Sequence, residues 1–390
     1  MIARVVELRA VALAVAMIAA STVRAQAPRS PAVDPQNEAK VTPSEPSLIW
    51  RSDERELPPN TFSMHANAFS PDGRLIGVVN QPNDAWLQNA ADGSLFYRLP
   101  YASEDASSPG GVYSIAFSPT GEFAVGRRYG LELFDARGGS LQPIDCGKCG
   151  LVGAVTFSAD GSLLAFQEIR GPTFPGDPKT ALVDVHSNRV LRSVNAASNR
   201  PQVALAPNGR QLLASSFSRI EDRAELGFEV WNMSDGTTSL KYRGEPRANL
   251  GWIAAGGVEG HAFVAVYGRK DSLEMRDLVR DQVIWTAPLI PPLFAPPNTK
   301  AAGSEFYRGA IAPNGRFIIS YESPRALGLL GYESGGIVVR SAMDGRVVAI
   351  YDVYGVTALS ISPDSKTFVY STGAGKVHTA LVRMPEEAMP

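Results

Sequence analysis

Seven times along this 390-residue chain a short apolar run breaks into a tight polar turn, and no other feature limits its fold so strongly. The turns read AFSPDG ending at Gly73, AFSPTG at Gly121, TFSADG at Gly161, ALAPNG at Gly209, AGGVEG at Gly260, AIAPNG at Gly315 and SISPDS at Ser365. They recur 40 to 55 residues apart, a period that suits a unit of four short strands better than a helical repeat. No helical period of any length interrupts them.

With each turn as a register mark, the second unit divides into strands at 112–118, 122–128, 131–135 and 140–144, and the sixth at 307–312, 316–321, 336–340 and 347–352. A second mark falls in the same register in every unit but the last. Asn89, Asp135, Asp184, Asn232, Asp277 and Ser341 each sit just past an apolar strand, with a turn three or four residues on. A short polar side chain that accepts a backbone N–H, followed by Gly or Asn at positive φ, is what a tight hairpin between the third and fourth strands needs. These marks predict an all-β chain: a seven-bladed β-propeller with four antiparallel strands per blade.

The AFSPDG turn, an apolar strand, and then LFD at Leu133–Asp135 or VWN at Val230–Asn232 resemble the WD40-like β-propeller family over about residues 47–383. The Gly-His dipeptide of that family is missing, and a Trp-Asp pair is never complete. The resemblance implies a protein-binding scaffold.

Four domain segments are expected. Residues 1–25 read as an export signal, with Arg4 and Arg9 before an apolar run from Val11 to Ala20 and a small-x-small cleavage site at Val23-Arg24-Ala25. The run is too short to span a bilayer comfortably, so no stable membrane insertion is expected after cleavage. Residues 26–45 are a Pro-rich tether, 46–383 the propeller and 384–390 a C-terminal tail. Cleavage leaves 34 basic and 38 acidic side chains, net −4, which offers no field for nucleic acid. The seventh unit runs through 356–361, 367–370 and 377–382 and lacks a fourth strand, and the unassigned run Ser47-Leu48-Ile49-Trp50-Arg51 resembles Gln282-Val283-Ile284-Trp285-Thr286, an outer strand of the fifth. It is expected to complete the seventh blade and close the ring.

In this topology the connections from second to third strand and from one unit to the next share one face. That face is predicted to gather the long ones: 101–110, 170–179, 219–226, 289–305 and 322–335. Candidate binding residues there are the cations Arg170, Arg219, Arg223, Lys300 and Arg325, the acid Asp222, and the aromatics Tyr101, Phe174, Phe294 and Tyr332. Lys179 and Glu322 lie on the same loops.

The pair Cys146 and Cys149, in CGKCG, is expected to form a local disulfide in an exported protein. The four histidines, His65, His186, His261 and His378, fall in four different units without ligand spacing, so no metal is expected. GYESG at 331–335 lacks the first Gly of a hydrolase elbow, and GAGK at 373–376 is too short for a phosphate loop. No catalytic residue and no cofactor are assigned.

The expected function is a non-catalytic, monomeric scaffold in the periplasm or outside the cell, whose partner is another protein of the cell envelope. The competing expectation is an enzyme or small-ligand receptor that uses the central channel, similar to lactonase or dehydrogenase propellers. The propeller subunit of the Tol system ranks last, because a short tether stands here where that subunit has an α/β domain.

Overall fold

The computed structural model describes residues 41–53, 55–56, 65–80, 84–100, 111–146, 149–169, 179–194, 201–206, 209–220, 223–243, 249–255, 261–267, 272–277, 280, 282–288, 308–322, 335–353, 355–372 and 376–386. The expected signal and the first part of the expected tether fall outside them.

Among these residues the strands form seven four-stranded antiparallel sheets and one two-stranded ribbon. From the innermost strand outward, the first sheet is His65–Phe69, Leu75–Asn80, Asp84–Asn89 and Leu95–Arg98, and the second is Val112–Phe117, Phe123–Arg127, Gly130–Phe134 and Ser140–Pro143. The third is Val152–Phe157, Leu163–Glu168, Thr180–Asp184 and Arg189–Val194, and the fourth is Val203–Leu205, Gln211–Ile220, Arg223–Asn232 and Thr238–Arg243. The fifth is Asn249–Ala255, His261–Tyr267, Ser272–Asp277 and Gln282–Pro288, and the sixth is Gly309–Ile311, Phe317–Glu322, Gly336–Ser341 and Val347–Asp352. In the seventh, Val356–Ile361, Thr367–Thr372 and Thr379–Arg383 are followed by Leu48–Arg51, which pairs antiparallel with Thr379–Arg383. Each innermost strand lies beside that of the next sheet, and Val356–Ile361 lies beside His65–Phe69.

The middle strands are short and apolar because both of their faces are covered. All six residues of FIISYE and all five of FAVGR are buried. The core is therefore a set of layers between neighbouring sheets. Phe123, Phe134 and Val125 pack against Val79 and Leu87 between the first and second sheets, and Phe166 and Val183 pack against Leu133 between the second and third. Tyr321 and Val339 meet Phe368 and Tyr370 between the sixth and seventh, and Val369 and Leu381 meet Ile76 and Val78 between the seventh and first.

Three of the recurring turns owe their shape to one side-chain hydrogen-bond pattern. Ser70 Oγ donates to Asp72 Oδ1 at 2.7 Å and accepts from Leu75 N at 2.9 Å, while Asp72 Oδ1 also accepts from Arg74 N. Ser158 with Asp160, and Ser362 with Asp364, repeat it. The chain then turns back through a residue at positive φ, Gly73 at 70° for example. In the seventh turn Ser365 holds φ 60°, and its Oγ accepts from Asn314 N in the preceding sheet.

Hydrogen bonding from Ser158 is the largest of several effects that hold the Asp160 carboxyl down at about 2. Because the folded value lies below the ordinary one, its stabilising contribution is present above the ordinary carboxylate range and is lost as pH falls through about 2. Ser158→Ala should move the Asp160 midpoint back up toward 3.8 in a carbon-13 NMR titration, and an unmoved midpoint would contradict this cause.

Neighbouring sheets are locked by a repeated contact in which an outermost strand reaches the last hairpin turn of the next sheet. Trp285 Nε1, in the fifth sheet, donates to Ala342 O at 2.9 Å, and the indole lies so close over Gly345 that a Cβ there would stand 2.7 Å from it. Trp50 Nε1, in the seventh, donates to Ala90 O at 2.8 Å and covers Gly93 of the first sheet in the same way. Tyr97 covers Gly138, and Arg192 Nη1 donates to Asp235 O, at two further junctions. The likeness between the runs around Trp50 and Trp285 is thus a likeness of job.

Four expectations are corrected in detail. Residues 219–226 are not an open loop: Gln211–Ile220 and Arg223–Asn232 form one long ladder, in which Phe217 pairs with Leu226 and Ile220 with Arg223. Order begins before Ser47, since Val41 packs on Val338, Val347 and Ile350, and Ser44 bridges Tyr351 in parallel. The run at 377–382 is two strands, because Lys376–Val377 leaves the sheet to pair with Arg55–Glu56. Met384, assigned to the tail, is buried in the core between the sixth and seventh sheets.

Candidate binding rim

Because strand direction alternates, the strand ends that lead into the tight turns lie on one rim and those that lead into the long connections lie on the other. Most of the candidate residues on those connections lie outside the described residues: Tyr101, Arg170, Phe174, Asp222, Phe294, Lys300, Arg325 and Tyr332. Arg219 and Arg223 are placed as strand residues near the end of the fourth sheet's long hairpin. What the structure does define is how the long connections are rooted.

Several of these roots are held by charged side chains on the middle strands, and three of those side chains, Arg127, Glu168 and Glu322, stand at the last position of a second strand. In the second sheet the buried Arg127 donates Nε to Glu132 Oε2 at 2.8 Å and Nη2 to Pro100 O, the residue just before the 101–110 connection. In the third, Glu168 accepts Gly150 N at Oε1 (3.0 Å) and Lys179 N at Oε2 (3.2 Å), joining the two ends of the 170–179 connection to the segment after Cys149. In the sixth, Glu322 is buried, and Arg340 donates Nε to its Oε1 and Nη2 to its Oε2, both at 3.2 Å. Ser320 Oγ adds a bond to Glu322 Oε1, and Arg340 Nη2 also reaches Pro288 O, where the 289–305 connection begins. Glu322 is therefore an internal clamp and not the exposed loop acid its position suggests.

Burial pushes the Glu168 carboxyl up, opposed by the two backbone N–H groups and by the Lys179 ammonium. Lys179 does not face solvent as a free cation, because its Nζ donates to Cys146 O at 2.8 Å. The Cys146–Cys149 disulfide is formed, with both cysteines buried against Ile144 and Val152. So short a closed loop constrains the unfolded chain little, so the bond shapes the rim more than it stabilises the fold. Thiol titration of the unreduced, unfolded protein should find no free thiol, and two would overturn the assignment.

The axis side is chemically plain by comparison. None of the seven innermost strands contains Asp, Glu, Lys or Arg, and His65 is the one histidine on them. His378 Nδ1 meets Thr372 Oγ1 in the seventh sheet, and His186 is exposed in a turn. Among the described residues no group of three or more His, Cys, Asp or Glu side chains is arranged to hold a metal ion.

The clamps were not anticipated from sequence. Their signal was present, however: LLAFQE, FIISYE and FAVGR are apolar strands that each end on a single charge directly before a connection. A charge so placed either leaves the strand for solvent or binds the chain that follows. Here it binds.

These sheets and their layered core define a β-propeller. No family model and no curated protein matches the sequence. Among solved structures the chain is similar to Kuenenia stuttgartiensis hydrazine synthase, with a TM-score of 0.61 and 13% identity over 82% of this chain and 95% of that one. Identity that low shows a shared fold alone.

Proposed function

We propose that this chain is an exported, WD40-like propeller of seven blades, closed by Leu48–Arg51 in the last blade, which acts as a non-catalytic scaffold for a protein of the cell envelope. The supporting observation is the rooting of the long connections. Loops that are held at their bases by Arg127, Glu168 and the Arg340–Glu322 pair lose less entropy when a partner orders them, which is what a binding surface needs. The formed disulfide fits an oxidising compartment, the periplasm or outside of the cell. The Trp50 lock on the first sheet fits a closed ring.

The test is a pull-down from envelope extract with the full chain and with a variant lacking residues 289–305. Loss of a partner from the variant supports the reading, and identical partner sets count against this rim. A bound ion or cofactor found by metal analysis and mass spectrometry of the purified protein would instead favour the channel-based reading.

A further inference from the structure

One junction on the rim ties a disulfide to the root of a long connection. Asp145, Cys146, Cys149 and Gly150 lie between Ser140–Pro143, the outermost strand of the second sheet, and Val152–Phe157, the innermost strand of the third. The Cys146–Cys149 bond closes this turn on itself. At one end of it Cys146 O accepts from Lys179 Nζ at 2.8 Å. At the other, Gly150 N donates to Glu168 Oε1, and the second oxygen of that carboxylate accepts from Lys179 N. Ile169 N adds a bond to Leu151 O. The disulfide thus stands between two contacts that hold both ends of the 170–179 connection.

Three features suit this bond to opening and closing in the folded protein. The closed loop is short, so the crosslink removes little entropy from the unfolded chain and its loss costs the fold little. Both cysteines lie in an apolar cluster with Ile144, Val152 and Leu164, where a thiol packs as a small apolar group does. The Lys179 ammonium, held at the Cys146 carbonyl, favours a thiolate on Cys146, and a better stabilised thiolate leaves faster in thiol–disulfide exchange. Glu168 and Asp145, whose backbone bridges Arg189, are the neighbouring acids that oppose this effect.

We propose that Cys146–Cys149 is a redox latch: a dithiol opens it, and the 170–179 connection is then released at its root. A thiolate of the dithiol attacks Cys149 Sγ, the residue being the more exposed of the two at 9% against 6%. Cys146 leaves as a thiolate and takes up a proton. The second thiol of the reductant then displaces Cys149 from the mixed disulfide. In sum, two electrons and two protons pass to the cysteines, and the dithiol departs as its own disulfide. Once open, the turn no longer aims Cys146 O at Lys179 or Gly150 N at Glu168. That the latch also weakens partner binding rests on the rim being the binding surface; its effect on the connection does not.

The test treats the native full chain with dithiothreitol, counts the thiols formed by alkylation and mass spectrometry, and follows amide hydrogen exchange. Two thiols should appear without unfolding, with the melting temperature lowered by less than about 3 °C. Exchange should rise about fivefold or more in peptides covering 149–151 and 168–180, and stay unchanged in peptides covering 322–340 of the sixth sheet. Cys146→Ser combined with Cys149→Ser should give the same exchange pattern with no reductant. Lys179→Gln, which keeps an N–H donor and drops the charge, should slow the reduction about threefold at fixed pH. A disulfide that resists dithiothreitol until the chain unfolds would overturn the proposal. So would unchanged exchange at 168–180, a rise throughout the propeller, or a reduction rate that Lys179→Gln leaves unaltered. None of these readouts involves a partner, so they stand or fall separately from the pull-down at the rim.

Discussion

A chain that begins at Asp53 is expected to melt far below one that begins at Gln26, and to aggregate on heating. Removing Leu48–Arg51 strips the partner from Thr379–Arg383 and leaves a regular, apolar edge strand open to other chains. It also removes Trp50, so the first sheet loses its cover over Gly93 and the bond at Ala90 O. The matching contact supplies the scale. Trp285 is 1% exposed, and Trp285→Ala should cost about 3–5 kcal/mol in a denaturant titration. Trp50→Ala should cost less than Trp285→Ala, because its ring is only half-buried. The truncation should exceed Trp50→Ala, since ladder and lock go together. Equal melting of the two chain lengths would mean that this strand adds nothing to the propeller.

Glu322→Ala should destabilise the protein by about 3–5 kcal/mol, although it removes no large apolar group. Arg340 is fully buried, and without Glu322 its guanidinium would keep a bond to Pro288 O but lose its counter-charge. The desolvation of an ion left without its partner sets this scale. Replacing the arginine as well, with Arg340→Met in the Glu322→Ala background, should recover a large part of the loss. That recovery separates a charge effect from a packing effect, because a packing defect would deepen with the second substitution. A loss below about 1 kcal/mol for Glu322→Ala would show that water reaches the pair.

Both effects trace to residues whose importance was unequally visible in the sequence. Trp50 was legible because LIWR resembles the run around Trp285 and because the seventh unit was a strand short. The sheets themselves were legible for a related reason: SPDG-type turns and the Asp135-type hairpin caps are local chemistry, fixed by side chains within a few residues of each other. Asp135 Oδ1 does accept Arg137 N and Gly139 N, and Asp184 Oδ1 does accept Ser187 N. The clamps were not legible, because a charge at the end of a strand reads the same whether it meets water or a carbonyl from the adjacent sheet, as Arg127 meets Pro100 O. The fourth sheet's hairpin was misread as a loop because Arg219, Glu221, Asp222 and Arg223 look like solvated coil. Backbone pairing ignores that polarity once Phe217 and Leu226 are opposite one another.

Thr379 N donates to Ser52 Oγ across 327 residues of chain, and this junction has a consequence for how the protein is made. A growing polypeptide that leaves the ribosome from its amino end carries Leu48–Arg51 out early, yet that segment has no place to dock until the last sheet is synthesised. Through that interval Trp50 remains uncovered, and the final folding event has to join two distant stretches of chain, a non-local closure that slows folding. Shielding of this short segment during translation or secretion would therefore raise the yield of folded chain.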